Sequence, residues 1–263
     1  MKLTLLVLSI FILSSCDFIL EKFSKKDDAV EQSFSVDSSS TDSKNINGEV
    51  RYKYPNGKLK SIVNYKDNKK VGVSMTFYET GEKQYEIPYV DGKKDGEVKW
   101  FYKSGRLYRL TTYRNGVKQG PQKKYWEDGK LKSEMDFENN MMCTGLKEFS
   151  NTGKQKTEPQ IQVKHVNLLR ESSMYMLELS LDKKFRDVQF YIGSLINGKS
   201  LPVKVNSHMS ELETKKGKAV FKFSIPKGGK INREIPIVAV VKTSYQNYYI
   251  LKTKANVSVR NPN

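Results

Sequence analysis

The sequence predicts an all-β protein: an elongated antiparallel meander of β-hairpin repeats followed by a β-sandwich. Three observations carry this expectation. Glycines recur at a fixed interval across residues 48–156, and the segments between them are short and rich in aromatic residues. Beyond residue 157 the interval is lost, but short runs with alternating apolar residues continue.

Gly48, Gly72, Gly96, Gly120 and Thr144 lie 24 residues apart, and nine residues after each comes a second glycine: Gly57, Gly81, Gly105, Gly129 and Gly153. That makes four full repeats and a partial fifth. Two aromatic columns keep the same period. Six residues after each start stand Tyr54, Tyr78, Tyr102 and Trp126, and seventeen after stand Tyr65, Tyr89, Tyr113 and Phe137. A glycine between two aromatic runs is turn chemistry, because a tight turn needs the positive φ that a residue without Cβ adopts freely. Each repeat therefore reads as two strands, with turns such as Asp91-Gly92 and Asn115-Gly116 between hairpins. At ~4.8 Å per strand, nine or ten strands make a ribbon about 45 Å long. No such hairpin is stable alone, so stacking of the repeats supplies the stability.

The segments Tyr54-Pro55-Asn56-Gly57-Lys58-Leu59, Tyr102-Lys103-Ser104-Gly105-Arg106-Leu107 and Trp126-Glu127-Asp128-Gly129-Lys130-Leu131 resemble the Tyr-x-x-Gly-x-Leu signature of the MORN repeat, in its bacterial variant form. The resemblance covers residues 48–156. Lys83 stands where leucine is expected in the second repeat, and Ser150 replaces the aromatic in the fifth. The resemblance implies a scaffold or binding surface, with phospholipid among the proposed ligands of such repeats, and is nearly silent about activity.

Residues 157–263 hold the runs IQVKHV, MYMLELSL, VQFYIGSLI, AVFKFSI, IPIVAVV and YYILKTKANVSV, broken by Lys, Gly, Asn and Pro. Six or seven short strands in that length read as a β-sandwich of the immunoglobulin-like sort, on spacing alone.

At the other end, Lys2 precedes an unbroken apolar stretch, then come Ser14, Ser15 and Cys16. The stretch is short for a permanent span and suits the core of a secretion signal. Leu13, Ser14, Ser15 and Cys16 resemble the lipobox of bacterial lipoproteins. That resemblance implies a signal peptide over residues 1–15 and lipidation, including palmitate, on Cys16, so the protein would sit in the bacterial cell envelope, anchored to a membrane through lipidated Cys16. Outer membrane, periplasmic face of the inner membrane and cell surface stay open. Residues 16–47 are rich in Ser, Asp and Asn and read as a flexible tether, with Phe18, Ile19, Leu20 and Phe23 at the lipid interface or docked on the folded part.

Net charge is +17, from 46 Lys and Arg against 29 Asp and Glu. It favours an acidic partner: an anionic lipid, a glycan or a protein. Nucleic acid is disfavoured, since export removes the protein from most of it. Catalysis finds no residues to carry it. His165 and His208 have no cysteine or carboxylate at ligand spacing, the glycines are turn residues, and Cys143 is the only cysteine besides Cys16, beside Met141 and Met142. We expect no enzyme, no metal and no cofactor.

Strand alternation places the candidate binding residues. Counting from Gly96, Val98, Trp100 and Tyr102 share one face of the sheet, with Leu107, Thr111 and Tyr113 beside them if the inner turn is a two-residue hairpin. The opposite face then carries Phe77, Lys99, Phe101, Lys123 and Tyr125, joined by Lys60, Tyr108 and Lys132: a basic column beside an aromatic one. The competing account is that the rings pack on the linker or second domain while the lysines keep the sheet soluble. The functional expectation is a non-enzymatic, membrane-anchored binding or scaffold module. The alternative is an antitoxin-like or immunity protein that neutralises a toxin.

Overall fold

The structure, a computed structural model, describes residues 45–202 and 209–262. The expected signal peptide, Cys16, nearly all of the expected tether and His208 lie outside the described residues. The described chain is almost wholly β and begins with an antiparallel meander.

The meander comprises β1 (Gly48–Lys53), β2 (Leu59–Lys66), β3 (Lys69–Phe77), β4 (Lys83–Val90), β5 (Lys93–Lys94), β6 (Gly96–Phe101), β7 (Leu107–Arg114), β8 (Val117–Tyr125), β9 (Leu131–Glu138), β10 (Met141–Met142) and β11 (Lys147–Glu148). They pair in chain order, with the short β5 set on β4 and β11 on β9. The 24-residue period is visible in the pairing itself. Gly48 faces Tyr65, Gly72 faces Tyr89, Gly96 faces Tyr113, and Gly120 faces Phe137.

Two turn types alternate. The outer turns, Asp67-Asn68, Asp91-Gly92, Asn115-Gly116 and Asn139-Asn140, hold both residues at φ between 47° and 85°. These are tight two-residue connections, and their twist matches that of the flanking strands. The inner turns are longer than the sequence reading assumed. Tyr102 N–H donates to Arg106 O and Gly105 N–H to Tyr102 O, and the same pair of bonds closes the turns at Gly57, Gly81 and Gly129. Gly105 sits at φ 80°.

This longer turn is accompanied by a β-bulge that changes which side chains meet. Trp100 faces Arg109, but the next residue, Phe101, faces Leu107, so Tyr108 is the extra residue. Leu107 therefore lies on the face of Phe101, not with Val98 as expected. Arg109 takes the place beside Trp100.

Residues 161–260 form two four-stranded sheets. One runs β12 (Ile161–Leu168), β13 (Met174–Leu181), β17 (Lys218–Ser224) and β16 (Thr214–Lys215); the other runs β15 (Met209–Glu211), β14 (Val188–Gly193), β18 (Lys230–Lys242) and β19 (Tyr248–Arg260). Lettered in chain order these are A-B-E-D and C′-C-F-G, the immunoglobulin-type strand order. A single helical turn, Leu169–Ser172, joins β12 to β13. Leu177, Leu179, Phe190, Ile237 and Val257 are among the residues that fill the core between the two sheets.

That core does not stop at the sandwich. Met135, Phe137, Met142 and Leu146 of the meander belong to it. Buried Cys143 bridges to Ser200, Leu201 N–H donates to Met142 O, and the Ser200 hydroxyl donates to Glu138 Oε2 at 2.7 Å. That hydroxyl, with Lys199 behind it, holds the Glu138 carboxyl below its usual range. Glu148 makes the second tie. It is 1 % exposed and accepts from Thr243 Oγ1 at 2.6 Å and Asn247 Nδ2 at 2.8 Å, with Lys156 Nζ 3.4 Å away. The sandwich thus caps the last repeat, and the array ends on a packed surface rather than an open edge.

Glu148→Ala leaves the buried Thr243 and Asn247 donors without their acceptor, a cost of about 2–4 kcal/mol. Urea denaturation followed by circular dichroism should show that loss, with a smaller one for Glu148→Gln, which keeps an acceptor oxygen.

Candidate binding faces of the repeat sheet

The meander has two chemically distinct faces, and the bulges set the division. One face is buried. It carries Val63, Tyr85, Ile87, Val98, Thr111 and Tyr113, with Tyr89 and Trp100 packed against them. Along it run rings and cations. The Trp100 and Tyr85 rings stack at 5.3 Å, and the Arg109 guanidinium lies 4.9 Å from the centre of the Trp100 ring. Lys70, Lys94 and Lys118 sit over Tyr89, Tyr113 and Phe137 at 5.1–5.5 Å. Each of these lysines also lies opposite the aromatic of its own repeat, so rings and ammonium groups alternate from strand to strand. Burial, and then the charge of Lys94, lowers the Lys70 ammonium from its usual range.

Tyr108 and Lys132 belong to this buried face, which corrects the sequence expectation. Tyr108 meets Trp100 edge-on at 4.6 Å and Tyr102 at 5.0 Å, while Lys132 Nζ lies 4.3 Å from the Trp126 ring centre. Both are the extra residues of their bulges, which is why simple alternation assigned them to the wrong side. Lys60 holds the equivalent bulge position opposite β1, between the pairs made by Ser61 and Leu59.

The other face is half-exposed, and the remaining candidates lie there. Phe77 pairs with Lys83, Phe101 with Leu107, and Tyr125 with Leu131. Together with Leu59 they form a continuous stripe of rings and alkyl groups. Lys83 fits that stripe despite replacing the expected leucine: its stem lies in the row, and its ammonium reaches Glu86 Oε1 at 2.5 Å and stands 5.6 Å from the Phe101 ring centre. The basic column predicted beside the stripe is matched by an acidic one. Lys99 lies opposite Glu86 with Nζ 3.6 Å from Oε2, and Lys123 lies opposite Glu134 at 3.4 Å. The open face is therefore an apolar stripe beside ion pairs, not a bare cationic surface.

The first aromatic column ties the repeats together. Tyr54 OH donates to Phe77 O, Tyr78 OH to Phe101 O and Tyr102 OH to Tyr125 O, all at 2.7–2.8 Å. Each tyrosine thus grips the backbone of the next repeat. At the fourth position Trp126 ends the series, and its ring meets Tyr245 of the sandwich edge-on at 5.2 Å. Ser150, in the fifth, hydrogen-bonds within its own turn to Thr152 and Lys154.

Residues 46–67, 70–91, 94–115 and 118–139 each match one family model. That model describes the MORN repeat variant. The matched MORN-variant segments end before the fifth repeat and the sandwich, and such repeats point to a general binding or scaffold role. No curated protein matches this chain.

In the sandwich, Nδ1 of the exposed His165 lies 2.8 Å from the hydroxyl of the buried Tyr175. Among the described residues, no group of three or more His, Cys, Asp or Glu is placed to hold a metal ion.

Tyr102→Phe keeps the ring and deletes one inter-repeat hydrogen bond, so thermal unfolding should report a loss of about 0.5–1.5 kcal/mol. A second check concerns Glu86. The Lys83 hydrogen bond depresses its carboxyl pKa, so the stability it contributes is present above the unfolded value of about 4.3 and is lost as pH falls through the folded value. Urea midpoints between about pH 5 and pH 3 should fall less steeply for Glu86→Gln than for the wild type.

Proposed function

We propose that the protein is a lipid-anchored module of the bacterial cell envelope that binds a protein partner through the open face of its MORN-variant sheet, without catalysis. One observation carries the reading: Leu59, Phe77, Phe101, Leu107, Tyr125 and Leu131, on β2, β3, β6, β7, β8 and β9, form a half-exposed apolar stripe flanked by cross-strand ion pairs. Stripes of rings and alkyl groups beside paired charges suit a protein surface, where apolar contact supplies affinity and charge sets register. An anionic lipid would want lysines free of carboxylates, and Lys99 and Lys123 are not. Lipid therefore enters through the anchor and not through this face.

The anchor rests on the first sixteen residues. Lys2, the apolar stretch, Ser14, Ser15 and Cys16 stand in the order a lipoprotein signal requires. Cys16→Ser should lose palmitate labelling in cells and move the chain from the membrane to the soluble fraction, as read by radiolabel and immunoblot.

A photo-reactive benzoylphenylalanine at position 101 tests the face itself. In detergent-solubilised envelopes it should yield one discrete protein adduct, which mass spectrometry identifies, and a toxin in that adduct would make the chain an immunity factor. In the chain that carries this probe, Phe77→Ser and Tyr125→Ser together should abolish capture with the far-ultraviolet spectrum unchanged. Undiminished capture by that variant overturns the assignment.

A further inference from the structure

We infer that the cavity where the fifth, partial repeat meets the sandwich binds an anionic monosaccharide, whose carboxylate or phosphate is held by Lys154 and Lys183. The proposal uses no residue of the stripe discussed above and stands independently of it.

The cavity follows from a departure in the sequence. The fifth inner turn keeps the closure of the regular ones, with Ser150 N–H donating to Lys154 O and Gly153 N–H to Ser150 O. Its aromatic position holds Ser150, however, and the chain beyond it enters the sandwich and not another repeat. At that place, where the four full repeats carry a ring, Ser150 lines a cavity of about 440 Å³. The connection from β13 to β14 and the turn from β18 to β19 supply the other walls. The volume falls within the roughly 300–1,000 Å³ of small-ligand sites.

Charge identifies the acid group. Lys154, Lys156 and Lys183 line the cavity against one carboxylate, that of Glu148. This carboxylate is already committed: Oε1 accepts from Thr243 and Asn247, and Oε2 faces Lys156 Nζ. Lys156 is fixed a second time over the Tyr245 ring, 3.3 Å from its centre. Lys183 Nζ donates to the Thr157 carbonyl at 3.1 Å and keeps two protons for a further acceptor. The exposed Lys154 ammonium makes no hydrogen bond or ion pair with a described residue. Two lysines are therefore available to an oxyanion, and such charge-assisted bonds are roughly twice as strong as neutral ones.

Hydroxyls and a ring identify the rest of the ligand. Tyr249 belongs to the sandwich core and is 3 % exposed, yet it lines the cavity, and no described residue hydrogen-bonds its hydroxyl. A buried tyrosine ordinarily gives that hydroxyl a partner. Burial, and then the charges of Glu148 and Glu158, push the phenol up to about 12, so it stays a donor at neutral pH. Thr157 and Ser244 add exposed hydroxyls, and half-buried Phe185 adds a ring. A pyranose with one acid group uses the cations, the hydroxyls and the ring together. A bare oxyanion leaves Tyr249 and Phe185 without a role.

The experiment uses the full chain in non-ionic detergent micelles and saturation-transfer NMR titrations with glucuronate, glucose 6-phosphate, glucose and inorganic phosphate. Glucuronate, glucose 6-phosphate or both should bind, and which of them does so tells whether the acid group is a carboxylate or a phosphate. Lys154→Ala with Lys183→Ala should weaken that binding about tenfold or more, and Tyr249→Phe, which keeps the ring, should weaken it about threefold to tenfold. Ser150→Tyr restores the ring of a regular repeat and should abolish binding. Both lysines are exposed, so their double variant keeps the fold and the test stands whatever Ser150→Tyr does to folding. Three results would each overturn the proposal: neither sugar acid binds, glucose or inorganic phosphate binds as tightly as the sugar acids, or the lysine pair and Tyr249 can be replaced without loss of affinity.

Discussion

A five-residue turn closed by a positive-φ glycine governs this molecule. At φ 80° Gly105 holds a conformation that costs an L-residue with a Cβ about 1–2 kcal/mol, and the same turn recurs at Gly57, Gly81 and Gly129. Because the turn is odd in length it is accompanied by a bulge, and the bulge moves one residue per repeat across the sheet. Charge follows from that shift. Arg109, Lys124 and the bulge residue Lys132 fall among the rings, while Lys99 and Lys123 fall opposite glutamates. One backbone decision per repeat thus separates a face rich in buried cations from a face of paired ions and apolar groups.

The period, the outer turns and the strand content were legible because each is local. Asp91-Gly92 and Asn115-Gly116 name their turn type within two residues, and the aromatic columns repeat whatever the tertiary context. The positions of Tyr108 and Lys132 were not legible, since the bulge that carries each shows itself only in the pairing of two strands. A turn with its glycine at the third place after an aromatic was the available signal: it fits a longer loop better than a two-residue one. Glu148 was opaque for another reason. Its partners Thr243 and Asn247 lie 95 and 99 residues away, and nothing near a lone glutamate in a degenerate repeat announces them.

The departures from the repeat motif carry the junction. Trp126, Glu148 and Ser150 all occupy places where a regular repeat would have another residue type, and each does work that a regular one could not. Trp126 gives up the hydroxyl that would grip a following repeat and offers a broad ring to Tyr245 instead. Glu148 accepts hydrogen bonds from the turn between β18 and β19. With Met135, Phe137, Met142 and Leu146 feeding into the sandwich core, the array and the sandwich fold onto one another through apolar as well as polar contact.

The tyrosine series has a geometric corollary. Since each ring fastens only to the unit after it, and only the final unit is adapted to the sandwich, the number of interior units is free of the junction chemistry. Insertion or deletion of one unit would shift β1, with the chain that precedes it, by two strand widths, about 9.6 Å, relative to the sandwich. The array is in that sense a ruler with graduations at single-unit steps, and its present four divisions define how far the amino-terminal segment begins from the immunoglobulin-type module.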